Sequence, residues 1–209
     1  MRASTFLRQM KNMISSVWIR LKYPQLKSAL RCESHLTLEE RVKLYHLSLN
    51  KCYSAEIGSY VGASACCFGA ALASMKPEDS SKIFCIDTWQ NNAMTEGNRD
   101  TWKAFRKNTD SYKKNIVPVR GFSTDVVGEL KGHVSNLDLL FIDGDHSYEG
   151  VKADWEAYKV LLREGSTVIF HDIGWAEGVK RVVQEDVEPL VRESGRLPNL
   201  WWGVLAQKP

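Results

Sequence analysis

Short apolar runs alternate with helical patterns along most of the chain. The runs at residues 82–87, 116–120, 137–143 and 166–172 each have the length of one buried strand, and the segments between them carry apolar residues at helical spacing. Strands that alternate with helices are typical of a parallel sheet covered on both faces. The pattern predicts an α/β fold: a Rossmann-like doubly wound, mostly parallel sheet of six or seven strands, with helices on both faces and an N-terminal helical extension.

The segment 54–65 predicts a further strand, a tight turn and a helix. Gly58 and Gly62 let the backbone turn sharply and approach a ligand, because neither carries a Cβ. The helix that follows presents free N–H groups and the positive end of its dipole to the turn. Glu56 lies just before the first glycine, where it can meet a cationic ligand group. The spacing is G-x-x-x-G rather than the G-x-G-x-x-G of dinucleotide sites, and alone it would also suit close helix–strand packing.

Acidic residues end three of the predicted strands. Asp87, Asp143 and Asp172 each follow an apolar run, and open α/β sheets bind their ligands at the carboxyl ends of strands. Asp87 can accept hydrogen bonds from both hydroxyls of a ribose, and Trp89 can stack on an adenine or a substrate ring. Asp143 and Asp172 are expected to be neighbours that can chelate a hard cation such as Mg²⁺.

The residues of the glycine-rich turn carry a family resemblance. Residues 56–65, Glu-Ile-Gly-Ser-Tyr-Val-Gly-Ala-Ser-Ala, resemble motif I of class I S-adenosylmethionine (SAM)-dependent methyltransferases. The similarity is greatest to catechol-type O-methyltransferases and small bacterial relatives that methylate sugars and natural products, and it spans roughly residues 50–180. It implies that SAM is the cofactor and that a hydroxyl of a small acceptor is methylated. The cofactor-binding residues that it implies, together with those argued above, are Glu56, Gly58, Ser59, Tyr60, Gly62, Ser64, Asp87, Trp89, Ser123 and Asp143.

The resemblance also assigns roles beyond motif I. Residues 121–125, Gly-Phe-Ser-Thr-Asp, are similar to the G-x-S-x-D that follows the third strand in catechol-type enzymes, where the serine borders the adenine; Ser123 alternatively caps a helix. Asp143 and Asp172 fall on the first two metal-ligand positions. The third falls on Ile173, which cannot coordinate, so Mg²⁺ stays an open alternative, with His171 or Asp145 as substitute ligands.

The general base is expected three residues after Asp143. His146 occupies the position of the catalytic lysine in the catechol-type enzymes, and a neutral imidazole is suited to accept a proton from a hydroxyl near pH 7. Asp143 is the second predicted catalytic residue, and Asp145 or Asp172 could orient the imidazole. The alternative role for His146 is only to start a helix, and His171 is a second candidate base.

The ends of the chain lie outside the closest resemblance. Residues 1–35 are expected to form a basic amphipathic extension and residues 36–209 the methyltransferase domain. The extension could pack on the domain or a second subunit, lie on an anionic membrane surface, or serve as a targeting peptide. At the other end a helix is expected over residues 177–193, with Pro189 ending it early. One of the two strands that usually finish such sheets is expected to be missing or short.

Composition narrows the class of protein. The net charge is +3, but residues 1–32 hold seven basic and no acidic side chains, so the remainder is mildly acidic and no nucleic-acid partner is expected. The five cysteines lack C-x-x-C spacing, which favours reduced thiols in a cytoplasmic protein. No apolar run reaches the length of a membrane span, and we expect no secretory signal.

Two other functions remain open from the sequence. A similar sheet can serve an NAD-dependent oxidoreductase, although the missing G-x-G-x-x-G counts against it. A non-catalytic protein of the same fold could serve assembly or membrane attachment through its basic extension. A homo-oligomer is compatible with each of these functions.

Overall fold

The structure is a computed structural model that describes residues 17–75, 81–91 and 99–209. The described helices are α1 (17–22), α2 (Leu38–Ser48), α3 (Ala63–Ser74), α4 (Trp102–Thr109), α5 (Ser123–Lys131), α6 (Tyr148–Lys159) and α7 (Glu177–Val182). The described strands are β1 (Tyr53–Ile57), β2 (Lys82–Asp87), β3 (Gln90–Asn91), β4 (Arg99–Asp100), β5 (Ile116–Arg120), β6 (Leu137–Ile142), β7 (Leu162–His171), β8 (Val191–Leu197) and β9 (Leu200–Leu205).

Seven strands form one sheet in the order β5-β2-β1-β6-β7-β9-β8. The first five are parallel, and β9 pairs antiparallel with both β7 and β8. The predicted doubly wound, mostly parallel sheet is thus confirmed. Pro118 lies in β5 at the edge of the sheet, where a residue without an N–H donor is tolerated.

The sheet has a core on each face, as its parallel strands require. One core joins α2, α3 and α4 to the sheet, and Phe68 and Phe105 are among its fully buried side chains. The other joins α5, α6 and α7, and centres on Trp155 and Tyr158. The helices therefore cover both faces of the sheet, and the carboxyl ends of its five parallel strands lie together along one edge.

The carboxyl-terminal prediction was wrong in one respect. The helix that begins at Glu177 continues as a π-helical turn, Val183–Val187, and a 3-10 turn, Glu188–Leu190, and then ends. Pro189 lies in that last turn, and the residues from Val191 onward form β8 instead of helix. Both final strands are complete, so the expected loss of one strand did not occur.

Other helix and strand boundaries differ from the predicted ones by a few residues. Helix α6 ends at Lys159, and β7 starts at Leu162, before the apolar run 166–172 that predicts it. Residues 37–40, Thr-Leu-Glu-Glu, have the spacing that predicts a capping box, and the box forms at the start of α2: the Thr37 side chain accepts from the Glu40 N–H, and Glu40 accepts from the Thr37 N–H. The composition of the polar segment 90–115 predicts a loop and then a helix that form a substrate-facing lid; residues 92–98 of this segment lie outside the described residues.

The described part of the extension packs against the domain. Leu26, Ala29 and Leu30 are buried in the same core as α3. The buried guanidinium of Arg41 in α2 donates to the carbonyls of Ala29 and Leu36 at 2.7 and 3.1 Å. The division at residue 35 remains a prediction, and it does not coincide with a break in packing. Four of the five free cysteines are buried and Cys52 is half-buried.

Helix α1 exposes apolar side chains among basic ones. Val17, Trp18 and Leu21 are exposed, whereas Ile19 is buried. The Lys22 ammonium lies 4.5 Å from the centre of the Trp18 ring. Among the residues that the structure describes, no helix is long and apolar enough to cross a membrane.

The contacts of Asp138, near the amino end of β6, give a stability prediction. Asp138 Oδ2 accepts from the N–H groups of Cys52 and Tyr53 at 2.9 and 3.0 Å, and Oδ1 lies 2.6 Å from the Arg163 guanidinium. Burial opposes ionisation, but these donors outweigh it and lower the pKa of Asp138. We expect Asp138→Asn to lower the free energy of unfolding by about 1–3 kcal/mol in urea titrations at pH 7, because the amide offers one acceptor oxygen to both groups of donors.

The pH dependence has a defined sign. Because the folded pKa of Asp138 is depressed, its contribution is present above the unfolded pKa of about 3.9 and is lost as pH falls through the folded pKa. The difference in the free energy of unfolding between wild type and Asp138→Asn should therefore disappear at acidic pH. Asp110→Asn, which breaks an exposed pair with Lys113, is the control and should change stability by less than about 1 kcal/mol. Equal losses in the two variants would contradict the prediction.

Candidate active site

The glycine-rich turn after β1 has the conformation that its sequence predicts. Gly58, Tyr60 and Gly62 have φ values of 88°, 46° and 89°, in the left-handed region that favours glycine. A Cβ at Gly58 would lie 2.0 Å from the carbonyl oxygen of Asp143, so the turns after β1 and β6 are in direct contact. The strand order reverses between these two strands, which places a ligand crevice there.

Three predicted cofactor residues are buried beside this turn. Glu56 is fully buried, and in the described part of the chain neither of its carboxylate oxygens has a hydrogen-bond partner; the same holds for Ser59 Oγ. Burial raises the pKa of Glu56 to about 7, and the nearby hydroxyls of Ser64 and Ser59 only partly offset this. Gly62 caps α3 without a side chain, so the first N–H groups of the helix are open to a ligand. This set fits a ligand that carries both a cationic and an anionic group.

Asp87 joins three loops at the carboxyl edge. Its Oδ2 accepts from the Tyr60 N–H at 2.7 Å and its Oδ1 from the Trp89 N–H at 2.6 Å. Its backbone carbonyl accepts from the Gly121 N–H at 3.1 Å. Burial raises the pKa of Asp87, and the N–H donors work against that rise. A carboxylate has about four acceptor positions, so both oxygens can still accept from the ribose hydroxyls that the sequence analysis assigns to them.

Trp89 has no open ring face in this structure. Its φ is 51°, and the side chain is fully buried. The ring centre lies 4.6 Å from that of Trp102 and 4.7 Å from that of Phe105. Stacking of Trp89 on an adenine or a substrate therefore requires these rings to part, and its packing accounts for its position without a ligand.

Two residues outside the glycine-rich turn hold the Tyr60 side chain in place. Its hydroxyl accepts from the Arg99 guanidinium at 2.9 Å and donates to Glu33 Oε1 at 3.2 Å. Arg99 also makes two contacts with the Glu33 carboxylate, at 2.8 and 3.0 Å. The extension and β4 are thereby joined over the predicted cofactor turn.

Ser123 is the first residue of α5 and not its cap, because Phe122 holds the N-cap position and no side chain caps the helix; Ser123 instead contacts a residue that the sequence did not indicate. Its hydroxyl donates to Oδ1 of Asp154 on α6, and the Tyr158 hydroxyl donates to its carbonyl at 3.0 Å. Burial raises the pKa of Asp154 to about 6, and Ser123 partly offsets this. The available signal was an acidic residue beside Val151 and Trp155 on an otherwise apolar helix face.

The predicted chemical centre comes together after β6 and β7. His146 Nε2 lies 2.7 Å from Asp172 Oδ2, and His171 Nδ1 lies 3.1 Å from Asp143 Oδ1. Asp172 has a φ of 60°, just beyond the last residue of β7. The hydrogen bond between His146 and Asp172 raises the pKa of His146, although burial of the imidazole opposes the rise. The site therefore contains an imidazole paired with a carboxylate at a half-exposed position.

His171, the second candidate base, is held as a cation. It is buried, and Nε2 lies 3.6 Å from Glu40 Oε2 on α2. Burial alone would lower its pKa, but Asp143, Asp172 and Glu40 raise the pKa of His171 to about 12. An imidazolium has no lone pair to accept a proton, which counts against His171 as a base and leaves His146 as the candidate. Glu40 was predicted only as a helix cap.

Asp172 is fixed by two further residues that the sequence analysis did not select. Its Oδ1 accepts from the Trp175 indole at 2.7 Å and from the Asn199 amide at 2.8 Å. Burial opposes ionisation, but His146 and His171 hold the pKa of Asp172 well below its usual range. Asn199 reaches the site from the turn between β8 and β9, a long-range contact that sequence spacing does not reveal.

The same cluster meets the simplest requirement of a cation site. Asp143, His146 and Asp172 each offer one ligand atom, and these atoms lie within 4.8 Å of one another. Two carboxylate oxygens suit Mg²⁺, whereas an imidazole nitrogen suits transition metals better. Ile173, at the third metal-ligand position, has no side-chain atom that can bind a cation. It lines a separate groove with Lys180 and Trp201.

The fold and site define an α/β protein with a polar crevice at the carboxyl edge of its sheet, where doubly wound sheets bind their ligands. Residues 55–173 match the family model described as a methyltransferase domain. This match spans more than half of the chain, and the chain belongs to that methyltransferase domain family, whose cofactor is SAM. The expected family and cofactor are thus confirmed, and neither the NAD-dependent nor the non-catalytic alternative is supported.

Solved structures show the same fold. The O-methyltransferase NovP is 13% identical, with 85% of this chain and 84% of that chain covered and a TM-score of 0.70. CalS11, a TDP-rhamnose 3′-O-methyltransferase of calicheamicin biosynthesis, is 19% identical, with 78% and 76% covered and a TM-score of 0.59. An O-methyltransferase from Bacillus cereus in complex with SAH is 13% identical, with 87% and 90% covered and a TM-score of 0.60.

One relative is similar in sequence over part of its length. The uncharacterised protein y4gI of Sinorhizobium fredii (strain NBRC 101917 / NGR234) is 30% identical over 118 residues. The aligned region is 56% of this chain and 12% of that protein. The similarity therefore concerns one domain of a much longer relative.

The buried Glu56 predicts proton release on ligand binding. With a pKa of about 7, Glu56 is roughly half protonated at pH 7, and a cationic ligand group would lower that pKa and expel the proton. Titration calorimetry with S-adenosylhomocysteine (SAH) at pH 7, in buffers of different ionisation enthalpy, should give about half a proton released per site, falling toward zero near pH 9.

Two matched variants test whether the Glu56 carboxyl group is the one that releases the proton. Glu56→Gln cannot titrate, and its binding enthalpy should not depend on the buffer. Glu164→Gln alters an exposed carboxylate and should behave as wild type. Equal proton release by wild type and Glu56→Gln would show that another group is responsible.

Proposed function

We propose that the protein is a SAM-dependent O-methyltransferase that acts on a hydroxyl of a small acceptor, namely a sugar or glycan unit or a natural product. The pairing of His146 with Asp172 at 2.7 Å, beside Asp143, carries this proposal. A hydroxyl must lose its proton as it is methylated, and a carboxylate-oriented imidazole is suited to take it. The methyltransferase family membership supports the transfer of a methyl group.

His146 acts as the general base. Its Nε2–H donates to Asp172 Oδ2, which leaves Nδ1 to accept the acceptor's hydroxyl proton. Asp172 stabilises the imidazolium that results, and Trp175 and Asn199 keep that carboxylate in place. A positioned base contributes roughly 10²–10⁴-fold to such a step.

The residues around the first turn bind and orient the cofactor. SAM, when bound, supplies a methyl group activated on a sulfonium. Glu56 and the N–H groups that begin α3 bind the charged amino-acid end, and Asp87 binds the ribose hydroxyls. Gly58 keeps side chains out of the turn, so the backbone can approach the ligand. Holding the two reactants in line can supply about 7–11 kcal/mol of the barrier reduction.

The acceptor side is polar with one aromatic wall. The indole of Trp175 is exposed and lies edge-on to His146, with ring centres 4.9 Å apart. Carboxylates accept hydrogen bonds from hydroxyl groups, and an exposed indole offers a flat apolar face to a ring. These features suit a hydroxylated ring, and the fold likeness to a TDP-rhamnose 3′-O-methyltransferase favours a sugar.

The basic extension and the assembly state are further parts of the proposal. The exposed Trp18 and Leu21 beside Lys22 suit peripheral contact with an anionic membrane or a second subunit. Neither role is needed for the chemistry above.

The first experiment is a transfer assay with methyl-labelled SAM. Monosaccharides, nucleotide sugars and phenols should be compared as acceptors at pH 7.5. The proposal expects label in the saccharide products and little in the phenols. Binding of SAH without transfer to any hydroxyl would contradict the acceptor class while leaving the cofactor in place.

His146→Ala should separate chemistry from binding. We expect kcat to fall by about 10²–10⁴-fold, because the base is gone, while the Kd for SAH, measured by calorimetry, changes less than threefold. His133→Ala, on the far side of β2 against Phe84, is the control and should keep full turnover. Normal turnover of His146→Ala would remove the base assignment.

A divalent cation would be held by Asp143 and Asp172, with His146 nearby. At this place it would polarise the acceptor oxygen and lower its pKa. We expect chelator-treated protein to bind Mg²⁺ or Mn²⁺ in titration calorimetry, and Asp172→Asn to weaken that binding at least tenfold. Asp186→Asn, whose carboxylate pairs with Lys152, is the control. Full turnover in chelator, with no ion binding by wild type, would rule out this role.

A further inference from the structure

Helix α7 lies directly against the loop that carries the proposed base, residues 146–148, which we call the base loop. An ideal Cβ on Gly178 would lie 2.4 Å from the backbone nitrogen of Tyr148 and 2.5 Å from the carbonyl oxygen of His146. It would also lie 2.6 Å from the carbonyl carbon of Ser147. All three are backbone atoms, which cannot rotate away as the end of a side chain can. Only a residue without a side chain therefore fits between α7 and the base loop.

The same side of this helix also holds the side chain of Tyr148. Arg181 and Glu185 follow Gly178 at successive spacings of three and four residues, which suit one helix face. The Arg181 guanidinium lies 4.0 Å from the centre of the Tyr148 ring, and the Tyr148 hydroxyl donates to Glu185 Oε2 at 2.8 Å. Glu185 lies in the π-helical turn that continues α7, and such turns are frequent at functional sites. The base loop is thus held through its backbone and through its last side chain.

The segment that leads into α7 contacts the His146 imidazole. His146 Nε2 lies 2.7 Å from Asp172 Oδ2, and its ring lies edge-on to that of Trp175, with the centres 4.9 Å apart. The Trp175 indole donates to Asp172 Oδ1 at 2.7 Å, so the carboxylate and the indole are fixed relative to each other. The position of His146 against these two groups depends on how closely the base loop approaches α7, and Gly178 permits that approach.

We propose that α7 positions the general base and that Gly178 is the positioning residue. Carbon atoms in contact lie about 3.5–4.0 Å apart, so a methyl group added at Gly178 would force the helix and the base loop apart by about 1 Å. A shift of this size would lengthen the pairing of His146 with Asp172 beyond hydrogen-bond range. This inference deepens the proposed function, because it rests on His146 as the base.

The first test compares alanine substitutions at two helical glycines. Gly178→Ala should lower kcat by about 10- to 100-fold, since a displacement of about 1 Å can cost as much as 100-fold, while the Kd for SAH changes less than about threefold. Gly128→Ala in α5 is the matched control, because an ideal Cβ there meets no atom within 4 Å. Its kcat should equal that of wild type. Equal kcat values for Gly178→Ala and wild type would overturn the inference.

A double-mutant cycle separates positioning of the base from a general loss of stability. If Gly178 acts through His146, adding Gly178→Ala to His146→Ala should lower the residual kcat by less than about twofold, because the positioned group is already gone. A loss in that background as large as in wild type would show a structural role for Gly178 and overturn the inference.

Crystal structures of the two glycine variants give a measurement that needs no turnover. In Gly178→Ala the distance between His146 Nε2 and Asp172 Oδ2 should exceed about 3.5 Å, whereas Gly128→Ala should keep it at 2.7 Å. An unchanged distance in Gly178→Ala would overturn the inference even if kcat fell. If His146→Ala has normal turnover, the proposed base fails, and a lengthened distance would still show that Gly178 positions the imidazole.

Tyr148→Phe is the deciding variant if Gly178→Ala does not fold. It removes the hydroxyl that donates to Glu185 and leaves the ring against Arg181. We expect kcat to fall about 2- to 10-fold, the value of one hydrogen bond, because the base loop is held less firmly against α7. The Kd for SAH should stay within about threefold of wild type. Full turnover of Tyr148→Phe would then overturn the inference.

Discussion

The site depends on one buried cation. His171 lies at the end of β7 among the carboxylates of Asp143, Asp172 and Glu40, and these carboxylates keep its imidazole protonated. Without that charge the acids would face one another in a region that excludes water, where repulsion is strong. The central strands, the covering helix α2 and the acceptor side of the site are thus joined by electrostatic contacts as well as by packing. His171 therefore maintains the arrangement of acids around the proposed base, His146.

The parts of the fold and of the site that depend on local sequence patterns could be predicted from the sequence. The alternation of strands and helices predicted the doubly wound, mostly parallel sheet. The acids at strand ends were predicted to meet, because parallel strands end at one edge. The glycine spacing indicated a turn with positive φ, and Gly58 and Gly62 adopt it. Each of these features follows from a few neighbouring residues.

Contacts between distant parts of the chain could not be predicted in this way. Glu40 was recognised as a cap, but its approach to His171 depends on how α2 packs across the sheet. Asn199 reaches Asp172 only because β8 and β9 form a hairpin whose turn lies beside the site. Trp89 shows the opposite error: its position after Asp87 suggested a ligand contact, whereas tertiary packing buries its ring.

The contribution of Asn199 has a consequence for the order of assembly. A chain synthesised from its amino end completes the glycine-rich turn and both acids before the last hairpin emerges. The nucleoside half of the crevice can therefore form while Asp172 still lacks one of its two side-chain donors to Oδ1. In a nascent chain, recognition of the cofactor would precede the ability to use it, and catalytic competence would arrive with the final strand.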